Sequence, residues 1–563
     1  MFTATVSPTW MIAVVQRALI PRRREIRRTR SRNSDTVKTW TLSVPRANHG
    51  EFTAPASLAV DAADHLGAAF LAAAEAAADR VAVATPDRDI SYNELRSLSL
   101  SLRDRLRADS GFHVGDRVLM WMPNGVEYIA AFYGVLLAGG IVVPTPPDLE
   151  AGRLRQVLAA SGARRILTID RVLRRRPSPS AEVPRPILLE PVRAPDRWDW
   201  NSLPAGDEPA AIFFTSGSTG EPKGVTLSHR NLLANAASIA EYLEIRSDER
   251  ALAALPFYHA FGNSILQTHL LRGASLVLDG SLTFPETILE AIERHRATSL
   301  SGVPDFFRTL LSRTSFGERE LPSLRTLAVA GGRLDPDQAS VLAFRAAPAR
   351  LFVMYGQTEA SARLSYLHPD DQEERFGSIG RGIPGVRLEV VDEQGEPVRV
   401  GEIGEIRARG ENIMRGYWRD PAGTATVLRD GWLHTGDLAT VDEDGFIYPK
   451  GRRAGFVKIA GYRVHPAEIE GFIRREANLL EAVVVPYQSE AGTRLALFAQ
   501  AWDLDGAPTS EELRLLCARA LPRYQIPEYI EILQRYPLTN SYKPDHQALR
   551  RRAECAAATS PME

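Results

Sequence analysis

The sequence predicts an α/β protein: a large N-terminal domain of layered α/β subdomains with a β-rich subdomain, then a small α+β C-terminal domain. Three observations carry that expectation. Short apolar runs alternate with stretches of helical spacing from Leu66 onward. After Gly377 the texture changes to short strand-like runs separated by turns, and beyond Arg453 helices mix with strands again. Alternation of the first kind is the pattern of largely parallel sheets covered by helices.

Taken in order, helical spacing runs over 66–78 and 91–107, followed by apolar runs at 117–122 and 141–144. The longest apolar stretch, 126–144, is interrupted by Glu127 and by Gly139-Gly140. It therefore reads as buried helix, turn and strand, not as a membrane span. Segments 211–215, 275–278 and 326–329 continue the candidate strands, each expected to lead into a helix. The Pro- and Arg-rich stretch 174–197 reads as a surface connection. Later strands are expected at 387–391, 404–408 and 446–449, with turns at 392–395 and 442–445. The tail offers helices at 467–477 and 510–520 and strands at 482–485 and 496–501.

At 563 residues the chain exceeds one ordinary core. The expected domains are a basic, disordered extension over 1–60, a large domain over 61–452 and a small lid domain over 453–563. Within the extension Arg22, Arg23, Arg24, Arg27, Arg28, Arg30 and Arg32 crowd together. That pattern fits an unstructured extension, with an organelle-type transit segment as the alternative. A hydrophobic fraction of 44%, a charged fraction of 24% and a net charge of −1 describe a globular chain with no overall basic field for nucleic acid. Cys517 and Cys555 alone form neither a disulfide framework nor a metal site, which fits a cytoplasmic setting.

The chemistry starts at Thr215-Ser216-Gly217-Ser218-Thr219-Gly220-Glu221-Pro222-Lys223-Gly224-Val225. Glycines let backbone N–H groups turn toward an anion, and hydroxyls and one ammonium add donors for phosphate. A helix is expected to begin near His229 or Asn231. The string is not the P-loop of NTPases, because Lys223 is followed by Gly224 where that motif needs a magnesium-holding hydroxyl. It resembles the phosphate loop of the adenylate-forming superfamily, which includes acyl-CoA synthetases, peptide-synthetase adenylation domains and luciferases. Further strings resembling that family occur in its order between Ser91 and Leu549.

The resemblance implies ATP-dependent activation of a carboxylic acid, with Mg²⁺, through an acyl adenylate. In Tyr355-Gly356-Gln357-Thr358-Glu359-Ala360 it assigns Tyr355 to adenine, Thr358 to the α-phosphate and Glu359 to Mg²⁺. In Trp432-Leu433-His434-Thr435-Gly436-Asp437-Leu438 it assigns Asp437 to the ribose hydroxyls, joined by Arg452. The stretch Pro537-Leu538-Thr539-Asn540-Ser541-Tyr542-Lys543-Pro544-Asp545 resembles the final signature and makes Lys543 the catalytic lysine. Thr215 to Gly220 and Lys223 are the implied phosphate donors. Two departures stand out: Tyr542 replaces the usual Gly, and Ala454 replaces the usual charged residue at the hinge of a mobile C-terminal domain. Beyond that hinge Lys458 and Gly461 fall in the implied thiol tunnel.

The segment Pro256-Phe257-Tyr258-His259-Ala260-Phe261-Gly262 resembles the acid pocket, with His259 as an aromatic gate. Relatives that activate amino acids place an Asp here to pair with the substrate ammonium, and this chain has Ala260. A buried unpaired ammonium is costly, so an α-amino acid is disfavoured and a fatty or aryl acid is expected, with a fatty acid preferred. Val303, Gly331 and Gly332 are expected pocket or adenine-side walls. The expected acceptor is CoA. The alternatives are a carrier protein loaded in trans and a non-catalytic nucleotide-binding homologue.

Overall fold

Two large mixed sheets organise the chain in a computed structural model. It describes residues 64–175, 187–188, 203–216, 222–453, 457–459, 462–464, 466–477, 479–489, 492–501, 507–539 and 543–559. The expected extension over 1–60 and most of the 174–197 connection lie outside the described residues. The larger sheet has six parallel strands in the order Arg350–Tyr355, Thr326–Val329, Ser299–Gly302, Arg250–Leu252, Ser275–Val277 and Val81–Ala84. Antiparallel strands close its edges: Asp89–Ser91 at one end, Ser365–Leu367 and Arg381–Gly382 at the other.

The second sheet runs Gly416–Tyr417, Pro222–Ser228, Pro209–Ser216, Ile141–Thr145, Arg117–Trp121, Arg165–Thr168 and Ile187–Leu188. Its last five strands are parallel, and the first three pair antiparallel. Here one expectation needs correction. The strand at 211–215 leads not into a helix but into the antiparallel strand Pro222–Ser228, and the helix His229–Tyr242 follows only then. Ser228 and Asn231 form a capping box at that helix start.

The helix Val126–Ala138 is buried from Tyr128 to its end and stops at Gly139, whose φ of 86° suits glycine. That is the buried helix and turn expected from 126–144. Its side chains join one continuous core with both sheets. The β-rich part is an antiparallel sheet of Val386–Val391, Gly404–Gly410, Trp432–Val441, Leu428–Arg429 and Ile447–Arg452. Beyond it, Leu479–Ser489, Gly492–Ala501 and Tyr529–Ile532 form a three-stranded sheet flanked by Pro466–Glu476, Ser510–Ala520 and His546–Thr559. The described residues pack as one compact unit, in which this last segment keeps a buried cluster around Ile469, Val484 and Leu497. Among the described residues no helix is long and apolar enough to cross a membrane.

Candidate active site

The phosphate string is a β-hairpin. Thr215 pairs with Lys223 and Ser216 with Pro222, which brings the hydroxyl and ammonium to the same end of two strands. Gly217, Ser218, Thr219 and Gly220, which connect those strands, lie outside the described residues. On the hairpin's outer edge Tyr417 pairs with Val225, and the Lys223 ammonium sits 4.9 Å from the Tyr417 ring centre. The Tyr417 hydroxyl donates to Glu359 Oε1 at 2.9 Å. Burial, and then the Glu359 carboxylate, hold that phenol well above its ordinary pKa, so it stays a donor. Thr358 and Glu359 share the short 3₁₀ turn Thr358–Ala360. Tyr417 thus joins two of the expected site residues, and no motif in the sequence points to it. Only its long-range pairing distinguishes it from any Tyr in a Gly-Tyr-Trp run.

Glu359 is the one expected metal-holding carboxylate, and no cluster of three ligating side chains occurs among the described residues. That donor set fits magnesium, which keeps several waters and is held by one or two carboxylates together with substrate phosphates.

Tyr355 and Asp437 meet between the large sheet and the β-rich sheet. The Tyr355 hydroxyl donates to Asp437 Oδ2 at 2.6 Å, and Arg452 Nε donates to Oδ1 at 3.0 Å. Arg452 is the register partner of Asp437 on the neighbouring strand, so sheet pairing itself delivers it. Burial, and then Asp437, raise the Tyr355 phenol far above its usual range. A carboxylate offers about four acceptor sites, so two further hydroxyls can still be accommodated.

The expected acid end converges on Gly331. Its φ is 86°, and a Cβ built there would lie 3.2 Å from Val303 Cγ1, 3.8 Å from Lys543 Cε and 3.9 Å from Phe261 Cδ1. Gly332 packs the same way against Pro304. Lys543 closes a tight turn in which Thr539 N donates to Lys543 O at 2.7 Å and Asp545 N donates to Pro537 O at 2.7 Å. Although Lys543 keeps exposed surface, packing around it lowers its pKa; Arg452 adds to the effect, while Asp305 and Asp437 oppose it. His259 caps the helix Ala260–Leu271 without a side-chain bond, and its buried Nε2 has no hydrogen-bond partner. Burial, and then Lys543, bring His259 down to about 4, so the ring is neutral at neutral pH. Ala260 is buried beside it. Lys458 lies on the strand Val457–Ile459 opposite Arg463, while Ala454, Gly461 and Tyr542 lie outside the described residues.

A buried ion network seats the C-terminal segment. Arg308, on the helix Pro304–Arg313, pairs with Asp305 and with Glu481 of the strand Leu479–Ser489. Arg474 reaches Glu481 at 2.9 Å, and Gln338 Nε2 donates to Leu480 O at 3.1 Å. Burial raises the Asp305 carboxyl and pushes nearby Glu470 up to about 7. Sequence reasoning singled out none of these residues, since each charge is unremarkable until its partner is placed.

The chain matches the family model described as AMP-binding enzyme over residues 70–418. It is 34% identical over 473 residues to feruloyl-CoA synthase of an Amycolatopsis species, covering 82% of this chain and 94% of that one. It is 29% identical over 543 residues to the long-chain-fatty-acid–CoA ligase of Salmonella typhimurium, covering 88% and 96%. Among solved structures it is similar to O-succinylbenzoate–CoA synthetase from Bacillus subtilis in complex with ATP and magnesium. That match has a TM-score of 0.73 and 27% identity, covering 86% of this chain and 99% of that chain. The chain belongs to the AMP-binding enzyme family, the adenylate-forming enzymes, as an AMP-forming acid–thiol ligase of the acyl-CoA synthetase kind.

Proposed function

We propose that this enzyme converts a carboxylic acid, ATP and CoA into an acyl-CoA thioester, AMP and pyrophosphate. A carboxylate is a poor electrophile because its leaving group would be an oxide. Attack of its oxygen on the α-phosphorus forms an acyl adenylate and expels pyrophosphate. The CoA thiol sulfur then attacks the acyl carbon, AMP departs with the C–O bonding pair, and the thiol proton passes to solvent. Bound magnesium would screen phosphate charge from its place at Glu359.

The residues divide the work as follows. Thr215, Ser216, the glycine-rich connection 217–220 and Lys223 hold the β- and γ-phosphates, and Thr358 meets the α-phosphate. Asp437 and Arg452 take the ribose, and Tyr355 lies along the adenine while its hydroxyl steadies Asp437. Lys543 places an ammonium where charge grows between the attacking carboxylate and the bridging oxygen. His259, Ala260 and Val303 line the acid, and Gly331 and Gly332 let it approach the backbone. Lys458 and Gly461 belong to the path of the thiol. The small domain over 453–563 moves relative to 61–452 between the two steps.

The observation that carries this reading is the place of Lys543 Cε beside Gly331, with Val303 and Phe261 around the same point. Relatives named for CoA thioesters support CoA over a carrier protein. They include both a feruloyl and a long-chain fatty acyl enzyme, so they support an aryl acid as well as the fatty acid expected from the sequence. The decisive test separates the half-reactions. Lys543→Ala should abolish acid-dependent pyrophosphate exchange yet still transfer a supplied acyl adenylate to CoA. Equal loss of both steps would refute the role given to Lys543.

A further inference from the structure

Arg363 is an unusual residue to find where it is. It follows the Thr358–Ala360 turn and is 2% exposed, yet among the described residues no carboxylate pairs with it. Its guanidinium carries five N–H donors. Nε donates to the Met354 sulfur at 3.3 Å, a weak acceptor, and Nη1 to the Ala362 carbonyl at 3.3 Å. The remaining polar neighbour is the Tyr242 phenol, and burial lowers the pKa of the guanidinium. A buried charge without a counter-charge is expensive and is retained where something else completes it.

Its position indicates what completes it. The guanidinium carbon lies 3.8 Å from the centre of the Phe261 ring. Phe261 is only half-buried, and its Cδ1 faces the same point beside Gly331 that Val303 and Lys543 approach. Lys543, Gly331, Phe261 and Arg363 therefore form a continuous line from the reacting end of the acid pocket to a cation one aromatic ring away. The backbone holds Arg363 there under strain. Ser361 and Ala362 have φ of 58° and 135°, values rare for residues with a Cβ. A Cβ on Gly356 would collide with the Ala362 carbonyl, which packs against it. Ser361 Oγ donates to Asn412 O at 2.7 Å, and Asn412 Nδ2 returns a bond to Arg363 O at 2.8 Å. Strain so firmly pinned beside a binding site is typical of functional geometry.

We infer that Arg363 is a specificity-determining residue at the base of the acid pocket, and that the substrate is a carboxylic acid bearing a second oxygen group at its far end. The inference rests on the adenylation reading above. A carboxylate or phenolic oxygen reaching past Phe261 would accept from the guanidinium, whereas a plain hydrocarbon tail would add no acceptor to it. Phe261 then acts as the wall between the reacting end and the recognition end.

The test uses the full chain with Mg-ATP and CoA, measuring pyrophosphate release with matched acids. Adipate is compared with hexanoate, and para-hydroxyphenylpropanoate with phenylpropanoate, which distinguishes a carboxylate from a hydroxyl as the second group. Wild type is expected to favour at least one oxygen-bearing acid by about ten- to hundredfold in kcat/KM, the worth of a hydrogen bond to a charged group. Arg363→Met should abolish or reverse that preference, and Arg363→Lys should keep part of it. Arg363→Met should also melt no lower than wild type, because an apolar side chain replaces a buried charge that has no counter-charge. A wild type that prefers the plain acids in both pairs overturns the inference, as does an Arg363→Met variant with unchanged ranking. Absence of release with every acid would instead overturn the adenylation reading, and the inference with it.

Discussion

At Lys543 the charge on which the proposed adenylation step relies stands in surroundings that disfavour it. Packing around its partly exposed side chain lowers its pKa, Arg452 pushes in the same direction, and Asp305 and Asp437 hold it back. The sign of the pH dependence follows directly. A lysine with a depressed pKa loses its proton at lower pH than the ordinary value of about 10.4, so the ammonium fades earlier on the alkaline side than an ordinary lysine's does. Acid-dependent pyrophosphate exchange should therefore fall along an alkaline limb lying below the usual lysine range. Lys543→Arg should exchange more slowly but without that limb, because a guanidinium does not titrate there. A pH profile of the two enzymes decides it, and a limb unchanged in Lys543→Arg would belong to another group. His259, brought down to about 4, adds no charge change near neutrality, so no acidic limb in the ordinary histidine range is expected from it.

The phosphate hairpin works as an element because a third strand braces it. Gly416–Tyr417 pairs with Pro222–Ser228 and lays the Tyr417 ring beside Lys223, with its hydroxyl on Glu359. Tyr417→Phe keeps the ring and removes only the hydroxyl bond. Bonds to charged groups contribute about 1.5–3 kcal/mol, so the magnesium and ATP concentrations needed for half-maximal exchange should rise roughly ten- to hundredfold, with melting little changed. Tyr417→Ala, which also removes the ring, should be worse, and titration of exchange with magnesium separates the two. This element also marks where the sequence stops being legible. The string 215–225 was readable because its residues are local and their order carries the chemistry. The strand Pro222–Ser228 was not, because Pro222, Lys223 and Gly224 break its apolar pattern and its extended state is imposed by neighbours on both sides. Helix Ser510–Ala520 was legible from its spacing alone, whereas strand Gly492–Ala501 was expected only from 496, because pairing with Leu479–Ser489 extends it through polar residues. Tyr417, Arg363 and Arg308 were illegible for a common reason: each acquires meaning only from a partner distant in sequence.

On the scale of the whole molecule, the place of Lys543 depends on how the C-terminal segment is seated. The seat is the buried set Asp305, Arg308, Glu481 and Arg474, reinforced by Gln338 on the Leu480 carbonyl. Two carboxylates flank Arg308, so its guanidinium is the charge that lets them share the interface. Arg308→Met would leave Asp305 uncompensated and Glu481 with Arg474 alone, and breaking a buried pair in this way costs about 3–5 kcal/mol. The cost falls on the seated arrangement, on which the role proposed for Lys543 beside Gly331 depends. Adenylation should therefore fall by at least about a hundredfold, while thiol attack on a supplied acyl adenylate persists. Neutralising Asp305 as well, with Asp305→Asn added to Arg308→Met, removes the stranded carboxylate while Glu481 keeps Arg474, and should restore the melting temperature ahead of the rate. Half-reaction assays and thermal denaturation on these variants test the seat directly. If both half-reactions fall together with the melting temperature, Arg308 supports the fold at large and not the placement of Lys543.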